Sequence, residues 1–184
     1  MRARRVAPLL LIAFGVVGLT ASLDQQQQDP TNEPFKGLTT NGTVLTGLFP
    51  IHATGVSTAP VMAAADRFLA GLTEEQRKKT TFPVDDIEWR RWQNVHRSNR
   101  AGVSFAEMTE TQRELAIGLL RASLSAKGLE KSQNIMRLNG HLGELVNNPA
   151  EYTEYLYHIT VMGAPSTSEP WGWQLDGHHL DINY

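Results

Sequence analysis

Pro170-Trp171-Gly172-Trp173-Gln174-Leu175-Asp176-Gly177-His178-His179-Leu180-Asp181-Ile182-Asn183-Tyr184 is the stretch that decides the fold. From Gln174 to Asn183 it reads as a strand. The run before it, Tyr155 to Met162, is aromatic and β-branched, with Tyr155, Tyr157, Ile159 and Val161 alternating against Leu156, His158, Thr160 and Met162. Alternation of period two in such residues is the mark of a strand. The turn-rich segment from Gly163 to Pro170 joins the two runs, which predicts an antiparallel hairpin.

Upstream the period changes to that of a helix. Ser57 or Thr58 can cap a helix whose first turn holds Pro60 and whose apolar side is Val61, Ala64, Ala65, Phe68, Leu69 and Leu72. Thr73-Glu74-Glu75-Gln76 is a capping box that starts a second, short helix. The same device recurs at Thr109-Glu110-Thr111-Gln112, and two uses of one capping solution explain that local repeat. Leu115, Ala116, Leu119, Leu120 and Leu124 then share one side of a third helix, with Gly128 placed to end it. A fourth helix carries Ile135, Leu138, Leu142 and Leu145 and stops at Asn147-Asn148-Pro149. Its Gly140 and Gly143 weaken a helix, by about 1 kcal/mol each relative to Ala, and so predict close packing. The predicted class is α+β: a helical N-terminal part packed on a C-terminal antiparallel sheet.

The N-terminus carries a different signal. Met1-Arg2-Ala3-Arg4-Arg5, an apolar run from Val6 to Leu23 and small residues near Ser22 form a basic, apolar and small-residue layout. This predicts a signal peptide over 1–22, a polar glutamine-rich linker over 23–34 and a single α+β domain over 35–184. The protein is thus expected to be exported, periplasmic or extracellular, with no membrane span left after cleavage. Cysteine is absent, so an exported domain must be held by its core instead of by disulfides. The formal charge is −2 and falls to about −5 once the leader's arginines are removed. An acidic chain without a basic patch predicts no nucleic-acid partner.

Candidate chemistry concentrates in the terminal stretch. On a continuous strand Asp176, His178, Leu180 and Ile182 share one face and Gly177, His179, Asp181 and Asn183 the other. That alternation separates the two histidines. It leaves His179 with Asp181, joined by His158 from the neighbouring strand, as a ligand set for a divalent metal such as zinc or iron. His178, His179 and Asp176 are the candidate catalytic residues. Trp171 and Trp173, with Gln174, could form a flat surface for a glycan or other small molecule. Elsewhere, Trp89 and Trp92 would face the same way if helical, with Arg90 and Arg91 beside them, and His141 and Glu144 have a helical ligand spacing. The chain has no serine-hydrolase elbow and no phosphate-binding glycine loop.

Phe35-Lys36-Gly37-Leu38-Thr39-Thr40, Gly55-Val56-Ser57-Thr58, Phe82-Pro83-Val84-Asp85-Asp86 with Trp89 and Trp92, and above all Pro170 to Leu180 resemble the domain-of-unknown-function family 3500. The resemblance runs from about Asp29 to Tyr184. It implies an exported or envelope protein of uncharacterised activity and supplies no catalytic residues. It also implies that the chain is the N-terminal part of a longer member, since the terminal strand would otherwise leave a long unpaired edge. Three functions are then in play: an exported enzyme, with a divalent metal as its candidate cofactor, built on the Trp-Gly-Trp-Gln to Gly-His-His segment; a binding module using Trp171 and Trp173; and a purely structural motif. The structural reading predicts that the ring nitrogens of His178 and His179 are satisfied by backbone or side-chain partners, with no open cavity beside them.

Overall fold

The computed structural model describes residues 43, 45–47, 52 and 54–184. The expected signal peptide and linker lie outside the described residues. Among the described residues no helix is long and apolar enough to cross a membrane.

Four helices precede the main sheet: α1 (Ala59–Gly71), α2 (Glu74–Thr80), α3 (Glu110–Ser123) and α4 (Ala126–Leu145). Both capping boxes form, with Thr73 and Thr109 as caps and Gln76 and Gln112 closing them. The two glutamines also meet. Gln112 Nε2 donates to Gln76 Oε1 at 2.8 Å and to the Gly71 carbonyl at 2.9 Å, and Gln76 Nε2 donates to the Glu107 carbonyl at 3.0 Å. The apparent repeat is therefore one polar joint that fixes the starts of α2 and α3 against each other and against the end of α1.

Two helix expectations need correction. Gly128 does not end α3. That helix stops at Ser123, because Leu124 is extended and Ser125 caps α4, accepting from the Gly128 N–H. The leucine stripe of α4 is not its core face either. Ser132, Met136, Asn139 and Gly143 are buried, while Leu138 and Leu145 are 64% and 70% exposed. The glycines do allow close packing: a Cβ on Gly143 would lie 2.2 Å from the Tyr152 carbonyl oxygen.

The sheet holds β1 (Thr81–Phe82), β2 (Val103–Ser104), β3 (Tyr157–Met162), β4 (Gly172–Gly177) and β5 (Leu180–Asn183). The order is β1-β3-β4-β5. β1 runs parallel to β3, and β2 is antiparallel to β3 along the same strand. The expected hairpin of two long strands is thus a three-stranded meander. What reads as one strand from Gln174 to Asn183 is two, because Gly177 pairs with Leu180 and leaves His178 and His179 as a two-residue turn. His179 takes φ +59°, which a turn demands and a continuous strand does not.

Register then sorts the side chains. Tyr157, Ile159, Val161, Trp173, Leu175, Leu180 and Ile182 face the helices and join a core with Phe68, Ala116, Leu119 and Leu120. The opposite face is polar: His158, Asp176 and Asp181 lie in one cross-strand row, and Thr160, Gln174 and Asn183 in the next. The connection between β1 and β2, residues 83–102, meets this face. Within it Ile87–Arg90 forms a 3-10 turn, Gln174 Nε2 donates to the Trp89 carbonyl at 3.3 Å, and Trp92 is 46% exposed. The turn is too short to align Trp89 and Trp92 as a helix would.

Candidate functional site

The turn between β4 and β5 carries both histidines to one place. Their rings stack with centroids 4.1 Å apart, so the separation expected from strand alternation is overturned by the turn. Each is tied to an asparagine from another element. His178 Nδ1 is 2.7 Å from Asn139 Oδ1 on α4, and His179 Nδ1 is 3.3 Å from Asn94 Oδ1. Tyr157 donates from its hydroxyl to the His178 carbonyl at 3.0 Å. Gly177 is obligatory here, since a Cβ would sit 2.1 Å from the Tyr157 ring.

Both imidazoles head an open cleft of about 510 Å³ whose other walls are Ile135, Leu138, Asn139, His141, Leu142 and Leu145. This explains the exposed leucines of α4, which line the cleft. His96 and Tyr152 complete the surroundings, with ring centroids 5.5 and 6.0 Å from that of His178. His96 Nε2 lies 2.7 Å from Glu151, which Arg97 also grips, and Arg97 holds the Glu151 carboxyl down at about 2. The His178 pKa is lowered, by burial first and then by His179, His96 and Arg100, so at neutral pH its imidazole is uncharged.

Behind the turn lies a carboxyl pair. Asp176 and Asp181 are cross-strand partners. Arg100, with only 3% of its side chain exposed, donates from Nε to Asp176 Oδ1 at 2.8 Å, and the Gln93 N–H adds a contact at 3.2 Å. The other guanidinium nitrogens donate to the carbonyls of Gln93, Val95 and His96. Beside the Asp176 carboxylate, Asp181 is pushed up to about 7, by burial and then by its hydrogen bond to and repulsion from Asp176. The folded state therefore binds a proton that the unfolded chain releases near pH ~4. The stability this proton contributes is complete below that value and is lost as pH rises toward about 7. Asp181→Asn is expected to be more stable than the parent at pH 7 to 8 and to flatten that decline. Urea midpoints of both proteins between pH 4 and 8 check this; parallel profiles would refute the shared proton.

The remaining candidates fall elsewhere. His158 sits beside Asp176 on the polar face, buried enough that its pKa is lowered, with Nδ1 unpartnered. His179 is in the turn, and Asp181 lies across the sheet from His158 with Asp176 between them. Accordingly, no group of three His, Asp or Glu side chains among the described residues is placed to hold a metal ion. Trp173 is fully buried, donating from Nε1 to Ser123 Oγ at 3.1 Å and stacked on Tyr184. Trp171 is part-buried against the core and donates to the Ser166 carbonyl at 2.8 Å, and Gln174 is 1% exposed. These residues do not form an open surface for a glycan. Asn139, Asn94, His96, Tyr152 and Arg100 are the contributors that sequence reading missed.

The profile of the family described as "Protein of unknown function (DUF3500)" matches residues 54–184. The chain belongs to that family. No curated protein and no solved structure matches it significantly. A second cleft, of about 560 Å³, lies between α3 and α4 and mixes Arg113, Arg121 and Arg137 with Glu110, Glu114 and Glu154. Arg113 is already engaged there, stacked over Tyr155 and donating to the Phe105 carbonyl. The histidine cleft differs in joining an uncharged base to an apolar wall.

Proposed function

We propose that this DUF3500 protein is an exported enzyme that binds an apolar small molecule along α4 and uses His178 as general base. The observation that carries the reading is the stacked His178–His179 pair at the head of an open, leucine-lined cleft. A neutral imidazole is the form that accepts a proton, and one set beside an apolar pocket suits activation of water against an ester whose acid part lies on Leu138, Leu142 and Leu145. His179 flanks the base, and Arg100 with Asp176 braces the hairpin that carries both histidines. Ile135 and the leucines supply binding.

Chromogenic esters of straight-chain acids from acetate to decanoate test this. The rate is expected to rise with acyl length until the cleft is filled. It should fall about 100-fold or more in His178→Ala, the usual scale for losing a general base. The rate should also follow deprotonation of a group titrating below the ordinary histidine value, because the folded His178 is depressed. Activity that survives His178→Ala, or that ignores acyl length, would end the proposal.

A further inference from the structure

We infer that Asn139 is a positioning residue that fixes the tautomer of His178, placing its single ring hydrogen on Nδ1 and the free lone pair on Nε2. Asn139 is 5% exposed, in the buried face of α4. Its amide is oriented by its other partner: Nδ2 donates to the Thr153 carbonyl at 2.8 Å, and a carbonyl cannot donate back. The side-chain oxygen is thereby the atom that meets His178 Nδ1, at 2.7 Å. An amide oxygen accepts and never donates, so Nδ1 must carry the hydrogen. A neutral imidazole has one, which leaves Nε2 as the basic atom.

The surrounding structure holds this arrangement from three sides. Gly143 lets the Tyr152 carbonyl approach α4 closely, bringing the Thr153 carbonyl within reach of Asn139. Tyr157 fixes the backbone of His178 through its carbonyl. His179, stacked on the ring, and His96, edge-on to it, limit its rotation. In hydrolases an aspartate or asparagine often orients the catalytic imidazole through Nδ1, and the geometry here assigns the same task to Asn139. The role of Nε2 as a base rests on the proposed function above; the tautomer does not.

Proton–nitrogen correlation spectra of the full chain with nitrogen-15-labelled histidine test it, His178→Gln serving to assign the resonance. At pH 7.5 the parent is expected to show His178 as the Nδ1–H form. Asn139→Ala should shift it to the Nε2–H form or to a mixture. Asn139→Asp, which still accepts from Nδ1 but gives up the bond to the Thr153 carbonyl, should keep the Nδ1–H form and raise the His178 pKa by about 1 unit or more through its added charge. A parent spectrum showing Nε2–H, or an alanine variant that keeps a pure Nδ1–H signal, overturns the inference. If Asn139→Ala fails to fold, the parent and the aspartate variant decide. Ester assays enter none of these outcomes, so the tautomer can stand if the catalytic proposal falls.

Discussion

Arg100→Met is expected to lose about 3–5 kcal/mol of stability, the scale for removing one partner of a buried ion pair. Arg100 pairs with Asp176 beside Asp181, and its fork also binds three backbone carbonyls of the connection that meets the polar sheet face. Methionine fills similar space but leaves a buried carboxylate unpaired and those carbonyls unsatisfied. Against a total of about 5–15 kcal/mol for a domain, this brings the protein near its unfolding threshold. Urea unfolding followed by tryptophan fluorescence measures it. Arg100→Lys should fall between the two, since a point charge reaches Asp176 but cannot span the carbonyls. Adding Asp176→Asn to the methionine variant should recover part of the loss. A methionine variant within about 0.5 kcal/mol of the parent, the range of an ordinary surface change, would show that the pair does not depend on Arg100.

Trp173→Ala is expected to cost about 3–5 kcal/mol, because it empties the largest fully buried side chain of the sheet's core face. The indole also loses its bond to Ser123 and its stacking on Tyr184, the residue that pairs with Trp173 through both backbone groups. Ser123→Ala removes that bond while keeping the indole, along with the hydroxyl's own bond to the Leu119 carbonyl, and should cost about 1 kcal/mol. Trp171→Ala should cost less than Trp173→Ala, since Trp171 is only part-buried. Equal losses at the two tryptophans, in denaturant unfolding, would contradict their placement on different sides of the core boundary.

The helices and their caps were legible because capping is local: Thr73 and Thr109 act through residues three positions away. The strand over Tyr157–Met162 was legible because Tyr157, Ile159 and Val161 alternate with His158 and Thr160. The turn at His178 and His179 was not. Neither residue is a usual turn former, and the aspartates flanking them continue a believable alternation. Only pairing of Gly177 with Leu180, a tertiary fact, breaks the strand. The leucine stripe of α4 failed for a related reason. Period tells which residues share a side, but not whether that side meets the core or a cleft. In α4 the buried side is Ser132, Met136, Asn139 and Gly143, a set whose weak apolar character conceals it. Asn139 escaped notice because its two partners, Thr153 and His178, are supplied by distant parts of the chain.

The two-residue turn also limits how relatives can diverge. Surface loops in general tolerate insertion. Here the imidazoles are the loop. An added residue would displace both rings from their asparagines, and a slipped register would exchange the faces of β5. Change on this scaffold is therefore expected as substitution along α4, at Leu138, Leu142 and Leu145, while the hairpin keeps its length.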